Sequence, residues 1–300
     1  MYKKMVVLLD GSELAEVVFT YANELAGRMH LDVELLHVCD PKEADQLPMR
    51  RAYMERMAES LCTKAEEIRA RYKKGDTASC IQARGRVVVG YPAEKILEYI
   101  DQNDIDLVMM STHGSSGVKA WDLGSVANKV IHASQVPVWL VPIELREEII
   151  SDSFPMKSLV IPLSGTRQSG AAIPHAIDII KQREAEKESE IVLVHVMDSS
   201  NISMTRAALE VLDGQRAEMQ AQLDKYAQTI RDAGVAARTE LLSGEPAATI
   251  IGYLKENPAQ LLAMATRGKR GLSRMIFGSV TENVIHLVKK TPLLLVGGAE

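Results

Sequence analysis

Short unbroken apolar runs alternate along this chain with longer stretches in which apolar residues return every three or four positions. Residues 5–9, Met-Val-Val-Leu-Leu, form the first run, and residues 13–29 carry the first helical pattern. Residues 31–38 predict a second strand, 50–72 a long charged amphipathic helix, and 83–89 a third strand. Pro92 suits a first helical turn, where its missing N–H would have no partner, so 92–101 is read as a helix leading into a strand at 105–110. A glycine-rich loop follows, then a helix at 125–133 and a strand at 137–141, which Pro137 can open. Apolar strands joined through helices need right-handed crossovers, which gives a five-stranded, mostly parallel sheet with helices on both faces, the doubly wound α/β class. Ligands of such Rossmann-like sheets bind beyond the carboxyl ends of the strands, where the strand order reverses. The first and fourth strands are the predicted neighbours there, ending at Asp10 and Gly114.

The pattern occurs twice. Gly90-Tyr-Pro-Ala returns as Gly244-Glu-Pro-Ala, Thr112-His-Gly114 as Thr266-Arg-Gly268, and Leu123-Gly-Ser-Val as Phe277-Gly-Ser-Val, all at an offset of 154 residues. Leu36-His-Val and Val194-His-Val agree at 158, a difference that loops absorb. Self-similarity of this length predicts two tandem domains, 1–143 and 157–300, joined by a polar linker at 144–156.

Composition narrows the function classes. The 300 residues carry a formal charge of −5 with a pI near 5.9, which makes nucleic acid a poor partner. Cys39, Cys62 and Cys80 form neither a C-x-x-C pair nor a metal spacing and read as thiols of a reducing compartment. No signal peptide and no run of eighteen apolar residues is found, so the expected location is the cytoplasm, without a membrane partner.

The glycine loops carry the candidate chemistry. Gly114 is followed by nine residues and then by Gly124-Ser125 at a helix start; Gly268, nine residues and Gly278-Ser279 repeat the spacing. Glycines let backbone N–H groups approach a ligand, and the first-turn amides, the Ser hydroxyl and the helix dipole favour an anion such as phosphate. A Walker-type phosphate loop is absent from the sequence.

With these residues the chain resembles the universal stress protein family, in its tandem form, over nearly its whole length. Nucleotide-binding members carry G-x-x-G-x9-G-[ST] after the fourth strand and an Asp at the end of the first, on the fold of the adenine nucleotide alpha hydrolases. Here Ser111-Thr-His-Gly114 and Ala265-Thr-Arg-Gly268 stand where the motif opens, so its first glycine is missing from both copies. The resemblance implies that Asp10 contacts adenine, that Val38, Met110 and Val126 are further ligand contacts, and that Val280 matches Val126 in the second copy. It also implies pairing of the two copies through their last strands, and it allows, without indicating, self-association of whole chains.

The copies are not equivalent. The alignment places Ser164 where the first copy has Asp10, while Lys269, Arg270 and Arg274 make the second loop basic and the first is nearly neutral. The expectation is therefore one ATP site, in the first copy, with Mg²⁺ as a companion not decided by the residues, and a second cleft that is weaker or takes other phosphorylated ligands. His37, His113 and His195 have no acid or serine arranged around them, so the chain reads as a nucleotide-binding regulator of the stress response rather than an enzyme. An interaction scaffold with degenerate clefts and a slow ATPase are the alternatives.

Overall fold

The computed structural model describes residues 1–72, 80–112, 123–151, 153–185, 187–198, 206–268 and 275–297. The chain divides into two compact units, with the break between residues 152 and 153.

The first unit runs β1 (Lys4–Leu8), α1 (Glu13–Met29), β2 (Asp32–Cys39), a 3-10 turn (Pro41–Gln46), α2 (Leu47–Tyr72), β3 (Ala83–Val89), α3 (Pro92–Gln102), β4 (Leu107–Ser111), α4 (Ser125–Ala133), β5 (Val138–Val141) and α5 (Glu147–Ile150). Its strands lie in the order β3-β2-β1-β4-β5, with parallel pairing throughout. Every residue of β4 and β5 is buried, as their continuous apolar sequences require. β3 lies at the outer edge and alternates between half-buried and exposed positions.

The second unit repeats the plan with β6 (Lys157–Pro162), a 3-10 turn (Arg167–Ala171), α6 (Ala172–Gln182), β7 (Ser189–Met197), α7 (Arg206–Asp232), β8 (Ala236–Ser243), α8 (Pro246–Glu256), β9 (Leu261–Gly268), β10 (Met275–Ile276), α9 (Ser279–Leu287) and β11 (Leu293–Gly297). Its order is β8-β7-β6-β9-β11, with β10 paired to β9. The doubly wound class read from the sequence is thus present in both halves, and no described helix is long and apolar enough to cross a membrane.

Three local differences from the sequence reading have physical causes. α2 begins at Leu47 rather than at residue 50, because Pro48 falls in its first turn, where a missing N–H costs nothing. The 3-10 turn before it carries Glu43 to the cleft at the strand ends, just after Asp40, and had no apolar period to announce it. Within the span read as a linker, residues 147–150 form a helical turn that lies against α1 and buries Ile149 completely.

β2 holds one acid inside the sheet layer. Glu34 is 4% exposed and is compensated by Lys4 Nζ at 3.2 Å, Arg86 Nε at 3.3 Å and the Tyr99 hydroxyl, which donates to it at 3.2 Å. Burial and the adjacent Glu34 push the Tyr99 phenol up to about 12. A buried carboxylate with several partners is tolerated where a single one would be expelled.

α2 lies on β3 backbone to backbone. A Cβ added at Gly85 would stand 2.5 Å from the Met54 carbonyl oxygen and 2.7 Å from the Glu55 nitrogen, so the helix can reach the strand only across a glycine. Gly85→Ala should therefore destabilise the first unit by about 1–3 kcal/mol, the usual cost of overpacking. Chemical denaturation checks this, and a variant as stable as the parent would contradict the close approach.

Candidate functional site

β1 has β2 on one side and β4 on the other, so the strand order reverses between β1 and β4, and β6 and β9 repeat the reversal. A cleft opens at each point, as the connections leave toward opposite faces of the sheet. The first encloses about 420 Å³, within the range of small-molecule sites, and the second about 240 Å³.

Asp10, Val38, Met110, Ser111, Gly124, Ser125 and Val126 all line the first cleft. Gly278, Ser279 and Val280 line the second, together with Ser164 and Val196. Gly268 is the last residue of β9. Gly114 lies outside the described residues, as do His113, Lys119, Lys269, Arg270 and Arg274.

The turn after β1 fixes Asp10. Gly11 adopts φ +82°, a left-handed conformation that glycine accepts without strain. The turn brings the Ser12 amide and hydroxyl to Asp10 Oδ1, donating at 3.0 and 2.6 Å. In the second unit Gly165 has the same φ, and the Ser164 and Thr166 hydroxyls lie 2.9 Å apart. One turn is thus built twice, with a carboxylate in the first unit and a hydroxyl in the second.

α4 supplies the other end of the cleft. Its N-cap is Gly124, with no side-chain cap, and the first-turn amides of Ser125, Val126 and Ala127 have no intrahelical acceptor. Gly124 has an ordinary φ of −54°, and among the described residues a Cβ there would meet nothing nearer than the Thr112 oxygen at 4.0 Å. Nothing among the described residues requires glycine at this position, and the missing side chain leaves room at the helix end. The first turn of α4 carries no acid, whereas that of α9 carries Glu282, which already answers the helix dipole.

The match to known proteins is as regular as the geometry. The model of the universal stress protein family fits the chain twice, over residues 1–142 and 156–297. The chain belongs to the universal stress protein family. A universal stress protein of Methanocaldococcus jannaschii is 36% identical over 132 residues, which span 43% of this chain and 75% of that protein. Another, from Bacillus subtilis, is 25% identical over 147 residues, covering 47% and 99%. Among solved structures, a universal stress protein from Archaeoglobus fulgidus superposes on 98% of both chains with a TM-score of 0.67 at 19% identity, which shows a common fold.

This universal stress protein places in the first cleft a histidine that the sequence reading set aside as a catalytic candidate, and charged residues that it did not single out. His37 is 4% exposed, and its Nδ1–H donates to the Leu9 carbonyl at 2.9 Å; His195 makes the same bond to Leu163 at 2.7 Å. Arg50, from α2, lines the cleft with Asp40 and Glu43. Its Nη2 donates to Glu43 Oε2 at 3.3 Å and to Gln46 Oε1 at 3.1 Å. Among the described residues no group of three or more His, Cys, Asp or Glu side chains is arranged to hold a metal ion.

Burial holds the His37 ring below its ordinary 6.5. The bond to Leu9 opposes that shift, Arg50 adds to it, and Asp10 and Glu43 oppose it. The unfolded chain therefore takes up a proton at His37 before the folded chain does. The contribution of this ring to stability is intact above about pH 6.5 and is lost as the pH falls from there through the folded value. An NMR titration of the His37 ring should give a midpoint below 6.5; a midpoint at or above it would contradict the packing described.

Proposed function

We propose that the first unit binds an adenine nucleotide, ATP by preference, and that occupancy rather than turnover is what the protein contributes. The carrying observation is that one cleft at the switch point holds an oriented carboxylate, Asp10, at one end and an uncapped, acid-free helix start, α4, at the other. A carboxylate accepts from an exocyclic amino group, and first-turn amides with a helix dipole receive phosphate. Val38, Met110 and Val126 supply the apolar wall a base needs. When bound, the nucleotide brings its own charge. Mg²⁺ would be held chiefly by the phosphates and water, an arrangement that needs few protein ligands.

The second unit fits the same ligand less well. Ser164 stands where the carboxylate should be, Glu282 sits in the first turn of the helix that would receive phosphate, and the cleft is smaller. Its role in this reading is a weaker site or a cleft for phosphorylated ligands without base selection. The regulatory reading rests on the absence, among the described cleft residues, of a nucleophile with a base in reach. The first-cleft histidine gives Nδ1 to Leu9, and its other nitrogen, Nε2, has no hydroxyl within hydrogen-bond reach among the described residues. A role in the stress response follows the family to which the chain belongs.

Calorimetry on the full chain tests the assignment. Asp10→Ala should weaken ATP binding on the order of tenfold or more, the cost of a lost hydrogen bond to a charged group. Gly124→Asp should abolish binding by setting a carboxylate at the helix start, and Gly278→Asp should leave it nearly unchanged. Binding that survives Asp10→Ala but not Gly278→Asp would mean that the second cleft is the working one. A parent chain that binds no nucleotide would favour the scaffold reading.

A further inference from the structure

The Asp10 end of the first cleft contains two buried polar atoms without a hydrogen-bond partner among the described residues, Arg50 Nε and His37 Nε2. Both residues line the cleft and reach the end of the first strand, Arg50 Nη1 against Gly11 and His37 Nδ1 against the Leu9 carbonyl. Their hydrogen-bonding characters are opposite and fixed. Arginine Nε–H can donate and cannot accept. His37 uses its Nδ1 proton on the Leu9 carbonyl, so the neutral ring presents Nε2 as an acceptor. An unpartnered donor and an unpartnered acceptor at one strand end, each withdrawn from water, are costly unless something that enters the cleft partners them.

The geometry points to Arg50 and His37 as a donor–acceptor pair that reads the base of the nucleotide, selecting adenine over guanine. The inference rests on the nucleotide reading above and adds two specificity residues to it. Adenine presents an exocyclic amino group flanked by ring nitrogens, that is, a donor next to an acceptor, which is the complement of this pair. The amino group has two N–H bonds, enough for His37 Nε2 and for the Asp10 carboxylate. On the edge formed by position 6 and N7, where adenine shows its amino group beside N7, guanine presents O6 and N7, two acceptors, and would set one of them against His37 Nε2.

The place of Arg50 agrees with this role. A Cβ on Gly11 would come within 2.8 Å of Arg50 Nη1, so the guanidinium lies against the turn that holds Asp10. Its present partner Glu43 is half exposed, and such a pair is weak enough for the arginine to exchange it for a ligand. In the second unit the corresponding glycine, Gly165, is met instead by the methyl group of Met219 at 2.8 Å. Among the described residues that cleft keeps the histidine and has a methionine where the first has Arg50, so the pair is not repeated there.

Arg50→Met, which installs the residue type found in the second unit, isolates the effect. ATP and GTP binding to the full-length parent, Arg50→Met and Arg50→Lys are measured by calorimetry, with thermal unfolding confirming that each variant is folded. The parent should prefer ATP. Arg50→Met should weaken ATP on the order of tenfold and leave GTP within about twofold, so that the preference collapses. Arg50→Lys, which keeps the charge without Nε, should not restore the preference. In the parent, ATP should also shift the ¹⁵N resonance of His37 Nε2. Equal losses for ATP and GTP would show that Arg50 acts through charge alone and overturn the pair, as would unchanged ATP affinity in Arg50→Met or an unmoved His37 signal on ATP binding. A parent that binds neither nucleotide would overturn the nucleotide reading, and this one with it.

Discussion

Parallel strands that lie side by side but send their crossovers to opposite faces leave a gap at their carboxyl ends that neither crossover can fill. In this chain the gap lies between β1 and β4 and again between β6 and β9, and the candidate chemistry depends on it. The turn after β1, the end of β2 and the start of α4 are remote in sequence and meet because the parallel register forces their ends to one edge. The glycine turns and the uncapped helix starts only shape a cleft that the topology has already opened.

The same scaffold twice in one chain shows how few residues separate two clefts. The backbone of the first turn is shared, down to the φ of Gly11 and Gly165, and the histidine bond to the end of the preceding strand is shared as well. What differs is the chemistry hung on it. Asp10 is replaced by Ser164, a neighbouring arginine by Met219, and an acid-free first turn by one carrying Glu282. Each change removes a charge or a donor that a nucleotide could use, or adds a charge that a phosphate would meet as repulsion. Divergence of this kind leaves the core intact, since the altered side chains lie outside the apolar strands.

Sequence pattern carried most of the fold because the central strands are buried on both faces and therefore read as continuous apolar runs, as at β5, Val138–Val141, read from the sequence as 137–141. The glycine and serine positions of the clefts were legible because they recur at one offset, and a repeated irregularity is hard to explain by packing. Arg50 was not legible. On α2 it is one charge among many, and its meaning comes from its approach to Gly11, a contact made only after the helix docks on the sheet. The orphaned Nε2 of His37 was equally hidden, since it depends on which ring nitrogen the Leu9 carbonyl takes. The 3-10 turn at Pro41–Gln46 and the one-turn helix at Glu147–Ile150 are too short to show a period and read as loop and linker.

The central claim is that one of two similarly built clefts is a working nucleotide site. Equilibrium dialysis of the full chain against increasing ATP addresses it directly, because it counts sites without assuming where they are. The account predicts one tight ATP site per chain, with any binding at a second site markedly weaker. Saturation at two equivalent sites, or no binding at all, would contradict it.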